Sequence, residues 1–449
     1  MRIAILVTID GWGTNLVGTY GNSLCETPNL DHFAAKSLVF DRAFSSSVSL
    51  VSILESIASG MHPCERPIDE PRSLAELLQT IGKQAVFMTD DPEIAQLDFM
   101  QGFNEVFCFD PTDERAPLEI EDSEGDSEEL SAAKETAEWT ETRLASFVEA
   151  ALGELSRYAE HENGFPELTW LHLSGLARTW DAPYEYRTQL CDDEDDPEPP
   201  RGDNPASFDV DSKTDPDAIF GAACGAAAQG MIVDQIWNWI DTFLDEFVNR
   251  EDCMVVLAGL RGFPLGEHHC VGLHREDLYS ELVHVPLMIQ PGIIAIGSRS
   301  DSIVQSMSIW TTLLHWLITE SKFQEFVSQE VAERPLAANL LTMAQSELLL
   351  SDLQTQACLI ATDTSAYLQV RRWTALWNSS VDSKTNEHAF ATRLFLSPDD
   401  RWEQNDVTSR AKEIAEAMEE LRDAWQSWLS VGCPSSSRPA LPDCLKRPV

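Results

Sequence analysis

Apolar residues in this chain gather into short unbroken runs that end abruptly in polar residues or glycine. Residues 3–9, 85–89, 169–173 and 254–258 are runs of this kind. An unbroken run, as opposed to an alternating one, suits a strand buried on both faces of a mostly parallel sheet. Asp10 and the glycines after it close the first run. A carboxylate there sits at the carboxyl end of a strand, the side on which open α/β sheets bind ligands. A purely structural capping role suits that acid as well. Thr27-Pro28 reads as a helix start, with Leu30, Phe33 and Ala34 at helical spacing. Residues 219–248, rich in alanine and then in Trp, Ile and Phe, predict a long helix. After about residue 335 the texture changes. Residues 358–362 and 367–373 look like strands, and an amphipathic helix is expected over about 409–429. The pattern gives an α/β domain over 1–334, a small α+β subdomain over 335–432 and a Pro- and Ser-containing tail, 433–449, expected to be poorly ordered.

Charge and cysteine usage narrow the function classes. A formal net charge of −44 over 449 residues argues against nucleic acid and anionic membranes, both of which are bound by clustered Lys and Arg. Two acidic stretches, 110–141 and 191–217, lack apolar periodicity and read as solvated insertions. Neither has the ligand spacing or turn glycine of a calcium loop. The ten cysteines are scattered without a C-x-x-C pair, so buried free thiols are expected in place of a disulfide framework or zinc site. The opening apolar run is strand-length and broken by Asp10, unlike a signal peptide, and no apolar run reaches the ~18 residues of a membrane span. These features set the expectation of a cytoplasmic protein.

Several motifs carry a family resemblance. Asp10-Gly-Trp-Gly-Thr-Asn-Leu-Val-Gly-Thr-Tyr-Gly-Asn22 with Thr27-Pro-Asn-Leu-Asp31 resembles the opening of a sulfatase of the alkaline-phosphatase superfamily. Leu38-Val-Phe-Asp-Arg-Ala-Phe44 and Ser59-Gly-Met-His-Pro63 are similar to the strand before the family's nucleophile and to the end of its nucleophile helix. Pro264-Leu-Gly-Glu-His268, Leu278-Tyr-Ser-Glu281 and Leu394-Phe-Leu-Ser-Pro-Asp-Asp400 resemble later landmarks in the right order. The resemblance implies an alkaline-phosphatase-like sandwich with a small C-terminal subdomain. It also implies a chemistry: a formylglycine hydrate attacks the sulfate ester while a divalent cation polarises the substrate oxygens.

The residues for that chemistry are missing at the matching positions. The family spacing puts Leu50 at the nucleophile and Leu54 at the sulfate-orienting arginine. Ser49 is a possible substitute nucleophile, although small hydroxyls here also suit a helix cap. Asp10 is followed by Gly11 where the family has a second acid, and Leu260 and Arg261 stand where it has a metal-binding Asp and His. Leu260 has no oxygen ligand, and a permanent positive charge at Arg261 repels a cation. Asp10 is therefore a vestigial ligand. Ala177 falls on the substrate-binding histidine. Arg178, Arg261, His268 and His274 remain as candidate pocket residues, with plain solvation the other reading of the two loop histidines.

These losses point to a catalytically inactive family member retained for binding or regulation, with an unidentified small-molecule or protein ligand, no nucleic acid, no membrane and no cofactor. The alternative is an active sulfuric- or phosphoric-ester hydrolase with unusual residues, which would need calcium or magnesium. A structural partner of a genuine sulfatase is the third possibility. One geometric expectation follows: Arg261 pairs with Asp10 in the metal's place.

Overall fold

The computed structural model describes residues 2–66, 71–109, 138–160, 164–191, 196–275, 278–292, 297–345, 357–362, 364–381, 388–433 and 439–446. The main sheet is built from β1 (Ile3–Ile9), β2 (Leu38–Phe44), β3 (Ala85–Thr89), β4 (Glu105–Cys108), β5 (Leu168–Leu173), β7 (Cys253–Gly259), β9 (Leu287–Pro291) and β10 (Ser298–Gln305). A small pair outside it joins β6 (Phe208–Asp209) to β8 (Cys270–Val271). The spatial order is β10-β2-β9-β7-β1-β5-β3-β4. Neighbours are parallel except around β9, which runs against both β2 and β7.

All four predicted runs are strands of this sheet. β1, β5 and β7 lie at its centre, whereas β3 is one place in from the edge strand β4. β3 is still wholly buried, because helices cover both faces of the sheet there. Side chains alternate along β1: Ile3, Ile5, Val7 and Ile9 pack with α1 (Pro28–Ala34), α4 (Arg143–Glu160) and α6 (Pro216–Phe247). Ala4 and Leu6 face the opposite layer, made of α2 (Leu50–Ser59), α3 (Leu74–Thr80) and α8 (Ser308–Leu317). Asp10 continues the second parity and so turns toward α2. That helix is well bounded, by the Ser49 side chain at its start and by Gly60 in the left-handed region (φ 73°) at its end.

α6 has the length and composition to cross a membrane, contrary to the reading that no segment does. However, 78% of its most apolar window is buried inside the protein. It is apolar nearly all round because the sheet, α1, α4 and the short α5 (Tyr184–Arg187) surround it.

The C-terminal subdomain is an antiparallel sheet, β11 (Ala357–Ala361), β12 (Ser365–Val370), β13 (Trp373–Val381) and β14 (His388–Leu396), in chain order. α11 (Lys412–Ser430) covers it through Met418, Leu421, Trp425 and Leu429. α7 (Ser280–Val283), α9 (Gln324–Ala332) and α10 (Leu340–Gln345) complete the main layers.

Two expectations need correction here. The run 367–373 is not one strand, since the chain reverses at Arg371 (φ 51°) and Arg372 between β12 and β13. The tail is not loose over its described part. Leu441 and Leu445 are buried against α11, the second of them on α12 (Asp443–Lys446). A single four-residue turn carrying one buried leucine leaves no helical period to read among the prolines and serines around it.

The first acidic stretch lies outside the described residues over 110–137. Residues 139–141 form a helical turn whose Trp139 ring lies 4.5 Å from that of Trp239. In the second stretch 192–195 lie outside them, and the remainder is irregular apart from β6 and the first residues of α6.

Candidate functional site

The carboxyl ends of β1, β3, β5 and β7 bring Asp10, Asp90, Ser174 and Leu260-Arg261 to one edge of the sheet. Asp10 is 1% exposed. Arg261 meets it as a two-pronged fork, Nε donating to Oδ1 at 2.9 Å and Nη2 to Oδ2 at 2.6 Å. Its Nη1 donates to the Val48 carbonyl at 3.1 Å, immediately before the start of α2. The guanidinium therefore ties the end of β1 to the entrance of the helix on which the family carries its nucleophile. A buried carboxylate left alone is costly, and this fork supplies both charge and geometry. Leu260 is fully buried among apolar side chains, and its carbonyl accepts from Ser45 Oγ at 2.6 Å.

The hydroxyls before α2 are occupied structurally. Ser49 is exposed and accepts the Ser52 N–H, the capping arrangement. Ser46 and Ser306 are joined by two hydrogen bonds, Ser46 N donating to Ser306 Oγ at 3.1 Å and Ser306 Oγ to Ser46 Oγ at 2.8 Å. Leu50 is the first helical residue and packs at the edge of the core below the sheet.

Arg178 donates to the Asp90 carbonyl at 2.8 Å and lies 3.8 Å from Asp91. It lines a crevice of about 10 Å³, room for a water and no more, with Asp90, Ser174, Asp181 and Gln229. Asp90 accepts from the Ser174 N–H at 2.8 Å and from its hydroxyl. Burial raises its pKa against those bonds.

His268 and His274 do not join the Asp10 cluster. His274 is held near the surface by Asp209 (3.2 Å) and Ser207 (3.2 Å). His268 stacks on Tyr279, ring centroids 3.5 Å apart, and its Nδ1 lies 2.7 Å from Glu281 Oε1. Its Nε2 lies 3.4 Å from the carbonyl of Glu403 in the C-terminal subdomain. Burial works against its charge, but Glu281 and then Glu403 outweigh it and raise the pKa. Burial pushes Glu403 itself up to about 8, with the Ser280 N–H opposing.

Sequence reasoning missed His172. It is fully buried on β5 beside Thr8, whose hydroxyl lies 3.2 Å from Nδ1, and its Nε2 has no hydrogen-bond partner among the described residues. Burial lowers its pKa to about 4, with Asp10 next and opposing. The signal was a histidine inside an otherwise apolar run, one residue before the strand end. Another feature absent from the sequence reading is a cavity of about 620 Å³ on the far half of α2, lined by Glu55, His62, Glu65 and Asp98 among others.

The donor set does not fit the family's divalent cation. Asp10 is engaged by a cation, Leu260 has no donor, and among the described residues no group of three His, Cys, Asp or Glu side chains could hold a metal.

Comparison with known proteins places this geometry in context. The sulfatase family model matches residues 2–319. The phosphonate monoester hydrolase of Agrobacterium radiobacter is similar at 13% identity, covering 94% of each chain with a TM-score of 0.65. That of Silicibacter pomeroyi is similar at 15% identity, covering 96% of this chain and 95% of its own, with a TM-score of 0.68. A protein solved in complex with its substrate D-glucosamine-2-N,6-O-disulfate is similar at 14% identity, covering 97% and 100%, again at 0.68. No curated protein sequence matches the chain.

Proposed function

Because the chain belongs to the sulfatase family while a guanidinium occupies the partner position of its one remaining acidic ligand, we propose that it is a catalytically inactive member retained for binding or regulation. The Asp10–Arg261 fork carries this reading. Ester cleavage on this fold needs a cation that both activates the nucleophile and takes up developing charge. Arg261 is always protonated and cannot lower the pKa of a bound hydroxyl as a metal does. Its forked N–H groups already serve Asp10 and Val48. The position of the nucleophile offers an aliphatic side chain, Leu50, beside a serine that caps its own helix.

The ligand of such a protein is a small molecule or another protein, and the net charge of −44 favours a cationic one.

The test is a panel of sulfate, phosphate and phosphonate monoesters assayed with added calcium, magnesium or manganese, alongside calorimetric titration of each metal. Turnover equal to the blank and no saturable metal binding are expected. Metal-dependent turnover abolished by Ser49→Ala would overturn the reading in favour of an ester hydrolase.

A further inference from the structure

The cavity of about 620 Å³ beside α2 has no part in the reading above, yet its volume lies within the ~300–1,000 Å³ of small-molecule sites. One wall is a single face of α2, where Ser52, Glu55, Ser56 and Ser59 recur at helical spacing over about 10 Å. The start of α3 with its cap Ser73, the helical turn Asp98–Gly102 and the chain beyond Gly60 form the other sides. Ala58, Met61 and the Phe99 ring add apolar surface.

Charge in this cavity has one sign. Glu55, Glu65, Glu76 and Asp98 line it, and among the described residues no lysine or arginine does. Its one histidine, His62, is neutral: the ring is buried with Nε2 2.8 Å from the Leu359 carbonyl, and burial lowers its pKa to about 4. Glu76 accepts from the Ser73 N–H at 2.6 Å, and Glu65 from the His62 N–H at 3.4 Å. Glu55 and Asp98 are exposed at the rim, and their carboxylates have no hydrogen bond or ion pair among the described residues. A concave wall of this kind concentrates the field of its acids on whatever enters.

We propose that this cavity binds a linear aliphatic polyamine, its ammonium groups met by the carboxylates of Glu55, Asp98 and Glu65 and its methylenes lying on Met61 and Phe99. The site supplies the place and chemical class of the cationic ligand in the reading above, on which it rests. A bare metal ion does not suit it, because no three acidic, His or Cys side chains among the described residues could hold one. An ammonium needs only hydrogen-bond distance to a carboxylate, and it gains further over an aromatic face. The acids are also spread out: Glu55 projects from the middle of α2, whereas Glu65 lies past its end at Gly60. One chain with separated charges can reach both, and a single charge cannot.

Spermidine is titrated calorimetrically into the intact protein at about 0.15 M salt, which screens diffuse attraction to a chain of net charge −44. One saturable site is expected. Glu55→Gln with Asp98→Asn should weaken it by roughly tenfold or more at an unchanged unfolding midpoint, since neither carboxylate holds a contact of the fold. Glu416→Gln with Glu420→Gln, which removes the same charge from the exposed face of α11, should leave binding as it is. Butylamine, which reproduces a single lysine side chain, should bind far more weakly than spermidine. No saturable site, equal weakening by the two double variants, or butylamine binding as tightly as spermidine overturns the assignment. No ester takes part in these titrations. Their failure leaves the inactive reading standing, and turnover in the ester panel would overturn that reading without altering them.

Discussion

Two places in this protein bury carboxylates and neutralise them in different ways. At the end of β1, Asp10 is met by a guanidinium that cannot lose its proton. At the seam with the C-terminal subdomain, His268 meets the Glu281 carboxylate and the Glu403 backbone carbonyl, the Ser280 N–H donates to Glu403 Oε2, and Oε2 of Glu281 and Oε1 of Glu403 have no hydrogen-bond partner among the described residues. Among the described residues no lysine or arginine forms an ion pair with either acid, and burial pushes Glu403 up to about 8. The first arrangement meets the buried carboxylate with a forked guanidinium. The second joins the main sheet to the C-terminal subdomain and contains one carboxyl, that of Glu403, which burial pushes up to about 8. How a buried charge is compensated decides what the site responds to.

The sharpest way to break the comparison is to remove the fixed cation. Arg261→Ala should destabilise the protein by roughly 3 to 5 kcal/mol, because it leaves Asp10 buried and alone. Urea unfolding at pH 7 measures this. Replacing Asp10 and Arg261 together by leucine should cost much less than that single change, since the penalty lies in the orphaned charge more than in the lost pair. A loss below about 1 kcal/mol for Arg261→Ala would mean that Asp10 is not compensated by the fork.

The titrating seam has a different signature. Glu403 binds its proton more tightly folded than unfolded, so its contribution is fully present below the unfolded value of 4.5 and is lost as pH rises toward about 8. His268, also raised, loses its contribution as pH climbs past 6.5. Both act in the same direction. Glu403→Gln keeps an acceptor for the Ser280 N–H and has no proton to release. Its stability relative to wild type should therefore improve from pH 5 to pH 8 by roughly 2 to 4 kcal/mol. Paired unfolding curves across that range provide the check, and a pH-independent difference would show that Glu403 does not titrate there.

The two sites were unequally legible in the sequence. The Asp10 side was readable because each part is local. A parallel strand buried on both faces is a continuous apolar run, its polar terminator is the next residue, and the motif order set Arg261 at a matching strand end. The Ser49 cap was readable for the same reason. The seam was not, because His268 and the Glu403 carbonyl are 135 residues apart and meet only when the subdomain docks. His172 was hidden in a different way. Its run reads as core, and only the parallel register with Thr8 reveals that a titratable ring sits on the face behind Asp10. The hairpin turn at Arg371 was missed because two arginines between apolar runs carry no glycine or asparagine to announce a left-handed residue.

A milder substitution separates charge from shape at the first site. Arg261→Lys keeps the positive charge but presents a single ammonium, which cannot fork Asp10 and reach the Val48 carbonyl at the same time. A loss of about 1 to 2 kcal/mol is expected, between wild type and Arg261→Ala. A loss as large as that of the alanine variant would show that the two-pronged geometry, more than the charge, compensates Asp10.

The smallest expected effect bears on the start of α2, where the Arg261 bridge ends at Val48 and the next residue is Ser49. Ser49 caps the helix through a long 3.5 Å contact with the Ser52 N–H, and its side chain is solvent-exposed. Water can replace much of such a bond, so Ser49→Ala should cost only about 0.5 to 1 kcal/mol. Combined with Arg261→Ala, the cost should exceed the sum if the bridge and the cap hold the same turn of chain, and equal it if they act independently. The same variant reports on chemistry. A serine whose job is to cap a helix leaves hydrolysis of sulfate, phosphate and phosphonate esters at the blank level before and after its removal. A nucleophile would show a rate that disappears with the hydroxyl while the unfolding curve moves by no more than the cap.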